Sequence, residues 1–140
     1  MKRKERTYIL VEGSSDLSCM LCKEIENKYP INVIEEANNG LVMLKMRENS
    51  KRSLFYMGEV LVTECKVEIN GVIGMGILTS MDEQQAYRLA VIDAAYNAAL
   101  PEINSWETLL KREKQAIDER RAQEYARVLQ TKVNFETMDV

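Results

Sequence analysis

An Asn-Gly pair at residues 70–71 separates two runs of strand-forming residues, and it commits the middle of the chain to antiparallel β-structure. Both turn positions of a two-residue type I′ hairpin need positive φ, which Asn and Gly supply at least cost. Before the turn, Val60, Val62, Glu64, Lys66 and Glu68 fall on one strand face, and Leu61, Thr63, Cys65, Val67 and Ile69 on the other. Alternation of this kind predicts a strand with one buried face. The return strand over 72–79 carries Gly74 and Gly76, which a strand accommodates at a bulge or where another backbone approaches closely.

The flanks supply helices and further strands. Residues 5–12 read as a short helical turn ended by Gly13, followed by Ser14-Ser15-Asp16 as cap candidates for a helix to about residue 27. Leu17, Met20, Leu21 and Ile25 form its apolar face, Glu24 is spaced to pair with Lys28, and Pro30 stops it. Runs 31–35 and 40–47 read as two strand segments around Asn38-Asn39-Gly40, a turn or a bulge, and 48–53 is a polar loop. After the hairpin, Ser80 and Glu83 stand in capping-box spacing, with Asp82 as the alternative cap. The alanine-rich helix that follows, to about residue 99, is small-faced enough to dock closely on the sheet. From Ser105, read as a cap, a long helix runs to about residue 130. Its apolar stripe of Trp106, Leu109, Leu110, Ile117, Tyr125, Val128 and Leu129 is interrupted by Glu113, Arg120, Arg121 and Glu124, as expected of a helix that reaches towards a partner. The last residues place Val133, Phe135 and Thr137 on one side of an extended tail, which either adds as a strand to another chain or folds back on its own sheet.

The expected fold is therefore α+β: a single domain over 1–140 with a mostly antiparallel sheet of about four strands around the central hairpin. A helical N-terminal part (5–28), the sheet (31–79), helices at 81–99 and 105–130 and the tail at 131–140 make up that domain. At 140 residues the chain is long enough for one core without staples. A formal charge of −3 argues against a general nucleic-acid binder, which needs a dense basic face. The basic start Lys2-Arg3-Lys4 followed by Tyr8-Ile9-Leu10-Val11 is too short in its apolar part for a secretory leader, and no run is long enough to span a bilayer. The three cysteines fit reduced cytosolic thiols.

Chemistry is scarce. The chain has no histidine, which removes the commonest acid-base and metal-binding side chain. Cys19 and Cys22 share a helix face, but Cys65 is the only other thiol, so buried structural cysteines are expected and no metal site. Gly71, Gly74 and Gly76 lie inside a hairpin, not between a strand and a helix start as a phosphate loop requires. The amides at 80–83 offer an anion site, opposed by Asp82 and Glu83. Asp93 is expected on the polar edge of its helix; buried, it would need a partner. Glu59 and Glu64 lack the spacing of an acid-base pair, and Lys111-Arg112 and Arg120-Arg121 read as solvated helix face. No catalytic residues are assigned.

Several runs together resemble the PhnG family. They are Gly40-Leu41-Val42-Met43, Phe55 with Gly58-Glu59, Thr63, Cys65 and Val67, then Gly71, Gly74, Leu78 and Asp82. Ala86, Ala90 and Ile92-Asp93-Ala94 follow, and the ending is Thr131-Lys132-Val133-Asn134-Phe135, one unmatched position, and Thr137-Met138. Glu64, Ser80, Asn134 and Glu136 depart from the family's usual arginine, glycine, aspartate and phenylalanine. The resemblance implies a noncatalytic, cytoplasmic subunit of the carbon–phosphorus lyase core complex, with PhnH, PhnI and PhnJ as partners. That complex exchanges the adenine of ATP for an alkylphosphonate at the ribose 1-position, the transferase step of phosphonate catabolism. S-adenosylmethionine and an iron–sulfur cluster belong to a partner subunit, and none of these cofactors to this chain. Tyr125, Val128, Val133, Phe135, Thr137 and Met138 are the expected partner-binding residues. The competing reading is a free-standing binding module for a small phosphorylated ligand.

Overall fold

A computed structural model describes residues 1–132. In chain order the elements are α1 (Arg3–Glu12), α2 (Ser15–Lys28), β1 (Asn32–Arg47), β2 (Leu54–Ile69), β3 (Val72–Leu78), α3 (Glu83–Asn97) and α4 (Ile103–Thr131). The three strands form one antiparallel sheet in the order β1-β2-β3. The fold is α+β, as expected, with three strands in place of about four. The difference lies at Asn38-Asn39-Gly40. The chain does not reverse there; β1 runs straight through, and its register against β2 shifts between Glu35 and Asn38. The Asn38 side-chain amide donates to the Glu35 carboxylate and the Glu36 carbonyl at 3.0 and 2.9 Å, so polar groups left by the irregularity are satisfied locally.

The central turn is as expected, with φ of 53° at Asn70 and 80° at Gly71. Gly74 and Gly76 explain how α3 docks. A Cβ on Gly74 would collide with the backbone of Ala94 and Ala90, and one on Gly76 with the Ala86 carbonyl and the Ala90 amide. The close approach of α3 to β3 therefore depends on glycines facing alanines. Beneath α3, Thr63, Cys65, Val67 and Ile69 are buried. Leu61 is not: it is exposed while Val62 is buried, so the expected face breaks where β2 leaves the cover of α3.

Helices α1 and α2 complete the body. Leu17, Leu21 and Ile25 are buried, whereas Met20, expected beside them, points to solvent. The Ser14 hydroxyl accepts from the Asp16 amide at the start of α2, and Lys28 reaches Glu24 at 3.5 Å. Helix α3 is capped by Asp82, whose carboxylate accepts from the Gln85 amide at 3.1 Å. Ser80 lies two residues before that cap, its carbonyl accepting from the Thr63 hydroxyl, and the capping box is not formed. Helix α4 begins two residues before the expected Ser105 cap. Successive turns over 100–105 wind directly into it, and the Ser105 hydroxyl donates to the Glu102 carbonyl. Its first half is anchored: Trp106, Leu110 and Ile117 are buried, and the Trp106 indole donates to Glu24 at 2.8 Å.

Candidate docking surface

The described residues divide into a body whose polar groups are used up internally and projecting elements whose apolar groups are not. Asp93, expected at a polar edge, lies only 4% exposed at the centre of the body. Its carboxylate accepts from Arg6 at 2.7 Å, from Arg3 at 3.1 Å and from the Met75 amide at 3.0 Å. Arg6 in turn lies 3.9 Å over the Tyr96 ring. Desolvation pulls the Arg6 guanidinium below its ordinary value, against the pull of Asp93. This cluster joins α1, β3 and α3. Its geometry is that of a closed ion pair, with the carboxylate fully engaged.

Two of the three thiols are equally quiet; Cys19, expected buried, is only partly so. Cys22 is buried, and burial, with Glu26 beside it, pushes its thiol up to about 12. Such a thiol stays protonated and unreactive at neutral pH. Cys65 is also buried and raised, its sulfur 3.4 Å from the Glu35 carbonyl. Among the described residues no group of three or more Cys, Asp or Glu side chains could hold a metal ion. The amide end of α3 is occupied by the Asp82 carboxylate with Glu83 next to it, which opposes anion binding there. Glu59 lies opposite Met43, and Glu64 between Asn38 and Ile77; the register gives the two carboxylates no shared site. Arg120 and Arg121 are not simply solvated. Arg120 donates to the Glu12 carbonyl at 2.9 Å, and Arg121 lies 3.6 Å from the Glu12 carboxylate and 5.1 Å over Tyr8. They clamp α4 to the end of α1. Lys111 pairs with Glu107 at 2.9 Å.

Beyond those clamps every described residue of α4 is exposed. Tyr125 and Val128, expected to meet a partner, are 65% and 61% exposed, and Leu129 lies beside them. Val133, Phe135, Thr137 and Met138 lie outside the described residues.

The larger surface was not foreseen. β3 pairs with β2 only over Thr63–Ile69, so residues 54–62 of β2 pair with β1 alone and project as a two-stranded arm. Leu41, Val42, Met43 and Leu44 on one strand, and Leu54, Phe55, Tyr56 and Met57 on the other, are all exposed. The signal in the sequence was the consecutive apolar run. A strand with one wet face alternates, whereas an unbroken run marks a strand meant to be covered on both faces. The polar loop between the runs (48–53) gives no helix to cover them in cis.

The family described as phosphonate metabolism protein PhnG matches residues 1–139. The chain belongs to the PhnG family. A comparison with curated proteins finds no match. The family assignment places the chain in phosphonate metabolism. No helix among the described residues is long and apolar enough to cross a membrane.

Proposed function

We propose that this chain is a noncatalytic subunit of the carbon–phosphorus lyase core complex and acts in the cytoplasm on phosphonate catabolism. Its role is to hold PhnI, with PhnH and PhnJ, in an arrangement that transfers an alkylphosphonate to the ribose 1-position of ATP with release of adenine. ATP is then a substrate of the complex, while S-adenosylmethionine and the iron–sulfur cluster belong to a partner. The observation that carries this reading is the exposed apolar surface of the β1–β2 arm and the distal half of α4, on a body whose buried charges are paired with one another. A surface of that kind is suited to another protein, and the family supplies the metabolic setting.

Co-expression with PhnI tests it. The expected result is a stable complex that elutes as one species, with no turnover of ATP and methylphosphonate by the isolated chain. A chain that stays monomeric beside PhnI sinks the reading, and product formed by the chain alone refutes its noncatalytic part. Ending the chain after Gln130 is expected to leave the body folded and weaken the complex, through loss of the segment that carries Val133 and Phe135.

A further inference from the structure

The arm has an exposed surface too large, and distributed too evenly around it, for contact on one side. Antiparallel register puts Leu41 opposite Leu61, Val42 opposite Val60 and Met46 opposite Phe55. Side chains alternate along each strand and paired residues share a face. One face therefore carries Leu41, Met43, Tyr56 and Leu61, with Glu59 and Lys45 as charged residues among them, and the other, without a charge, Val42, Leu44, Met46 and Phe55. Ten large apolar side chains of the arm and its root are between 41 and 64% exposed. At half exposure each leaves on the order of 100 Å². Together they leave about 1,000 Å², more than the roughly 800 Å² that one partner contributes to a standard interface, and each face alone, at about 500 Å², lies at the upper end of the largest patch, about 300–600 Å², of an ordinary monomer.

The end of the arm is different. Lys45, Arg47, Lys51 and Arg52 stand there with Glu48 as the one carboxylate over 45–53, in a chain of formal charge −3. The Glu48 carboxylate accepts from the Ser53 hydroxyl at 2.8 Å, so it is held within the turn. The arm is thus apolar on two faces and basic at its tip.

We propose that the arm inserts into a cleft of a partner protein that has two apolar walls and an acidic end, the tip cations docking at that end. The proposal rests on the subunit reading above and specifies how that subunit engages. A second copy of this chain fits less well. Two stacked arms would each cover one face and leave the other wet, and the remaining exposed apolar residues, among them Val33 and Ile34 on β1, Ile73 and Ile77 on β3 and Tyr125, Val128 and Leu129 on α4, lie on separate elements and make no second wall. An insertion also explains why the arm lacks the alternation of a sheet with one solvated face, and it would occupy the unpaired edges of β1 and β2 that otherwise invite aggregation.

The test uses the full-length chain co-expressed with PhnH, PhnI and PhnJ, with one face altered at a time. Met43→Glu and Leu44→Glu, on opposite faces, are each expected to weaken assembly at least tenfold. The double reversal Lys51→Glu with Arg52→Glu is expected to weaken it severalfold and to flatten its salt dependence. Met20→Glu, on the body, is expected to stay within twofold. Hydrogen exchange of the unaltered protein supplies a readout that needs no variant to fold: amides of 40–47 and 54–61 should exchange quickly in the isolated chain and at least tenfold more slowly in the complex. Weakening by only one of the two face variants overturns the two-walled insertion, leaving the subunit reading in place. Arm amides already protected in the isolated chain, or in a homodimer of it, overturn the partner as occupant. Failure of the unaltered chain to assemble removes the subunit reading and this proposal together.

Discussion

Strand β2 passes through two environments, and its halves show what decides the fate of an apolar residue. In the half next to the turn, Thr63, Cys65, Val67 and Ile69 are buried beneath α3. In the other half, Leu54, Phe55, Tyr56 and Met57 are at least as apolar and lie in solvent. Composition does not separate them; the reach of the covering helix does. The 15 residues of α3 span about 22 Å, close to the roughly 23 Å of the seven-residue β3. The 16 residues of β2 extend to about 53 Å. Half of the strand therefore has no helix over it and no third strand beside it. The body is closed by contacts within the chain, and the arm is left open.

The sharpest way to break this contrast is to attack the body where it is most closed. Asp93→Ala would leave Arg6 buried without its carboxylate, and unfolding in urea should show a loss of about 3–5 kcal/mol, the usual cost of orphaning one member of a buried pair. Asp93→Asn retains one acceptor oxygen for the Met75 amide and should recover part of it. A loss near zero for Asp93→Ala would mean that the cluster does not hold α1 to α3. Next in size is Gly74→Val, which sets a side chain against the backbone of Ala90 and Ala94. Helix α3 must then move off β3, at a cost of roughly 3 kcal/mol, the upper end of overpacking effects. An unchanged urea midpoint would show that the close approach of helix and strand is not needed.

How far the sequence was legible follows the same division. The Asn70-Gly71 turn, the alanine face of α3, the Ser14 cap and the Glu24–Lys28 pair could all be read because each rests on neighbours in sequence. Asp93 could not be placed, since its burial depends on Arg6, 87 residues away. Arg120 and Arg121 looked like solvated charges because their acceptors belong to Glu12. The break in β1 was half legible: Asn38-Asn39-Gly40 could be read as a turn or a bulge, and the structure has a bulge-like register shift just before it, between Glu35 and Asn38. The arm was partly legible: both runs were recognised as strands, but four covered strands were expected where a three-stranded sheet overhangs its helices. The exposure of Tyr125 and Val128 was readable for a simpler reason, namely that the apolar stripe of α4 outlasts the anchor residues that bury its first half.

A smaller effect appears only in alkali. Cys22 faces Glu26, Tyr87, Arg88 and Cys19, and its folded value of about 12 lies above the ordinary 9.0. Below pH 9 the thiol is neutral in both folded and unfolded chains and contributes no pH dependence. From 9 to about 12 it ionises in the unfolded chain alone, so stability falls with rising pH across that window. Cys22→Ala should remove that component of the slope in urea titrations between pH 9 and 11, leaving the share of Tyr87, which burial also raises. Equal slopes for the two proteins would place the thiol in contact with water, and the body would be less closed than its geometry implies.

The least effect on stability is expected in the arm, and it sharpens the contrast most. Met46→Ser and Phe55→Ser each remove a large apolar group, a change that costs several kcal/mol in a core. Here both side chains are about half exposed already, so little burial is lost, and the urea midpoint of the isolated protein should move by no more than about 0.5 kcal/mol. The isolated protein should also become more soluble, because a two-stranded ribbon with apolar faces and open edges is a template for aggregation. A fall of 2 kcal/mol or more would show that the arm is already buried within the isolated chain, and the division between a body closed in cis and an arm closed in trans would fail. A shift within the expected limit, together with weakened assembly of the same variants, would establish that these residues act between chains and not within one.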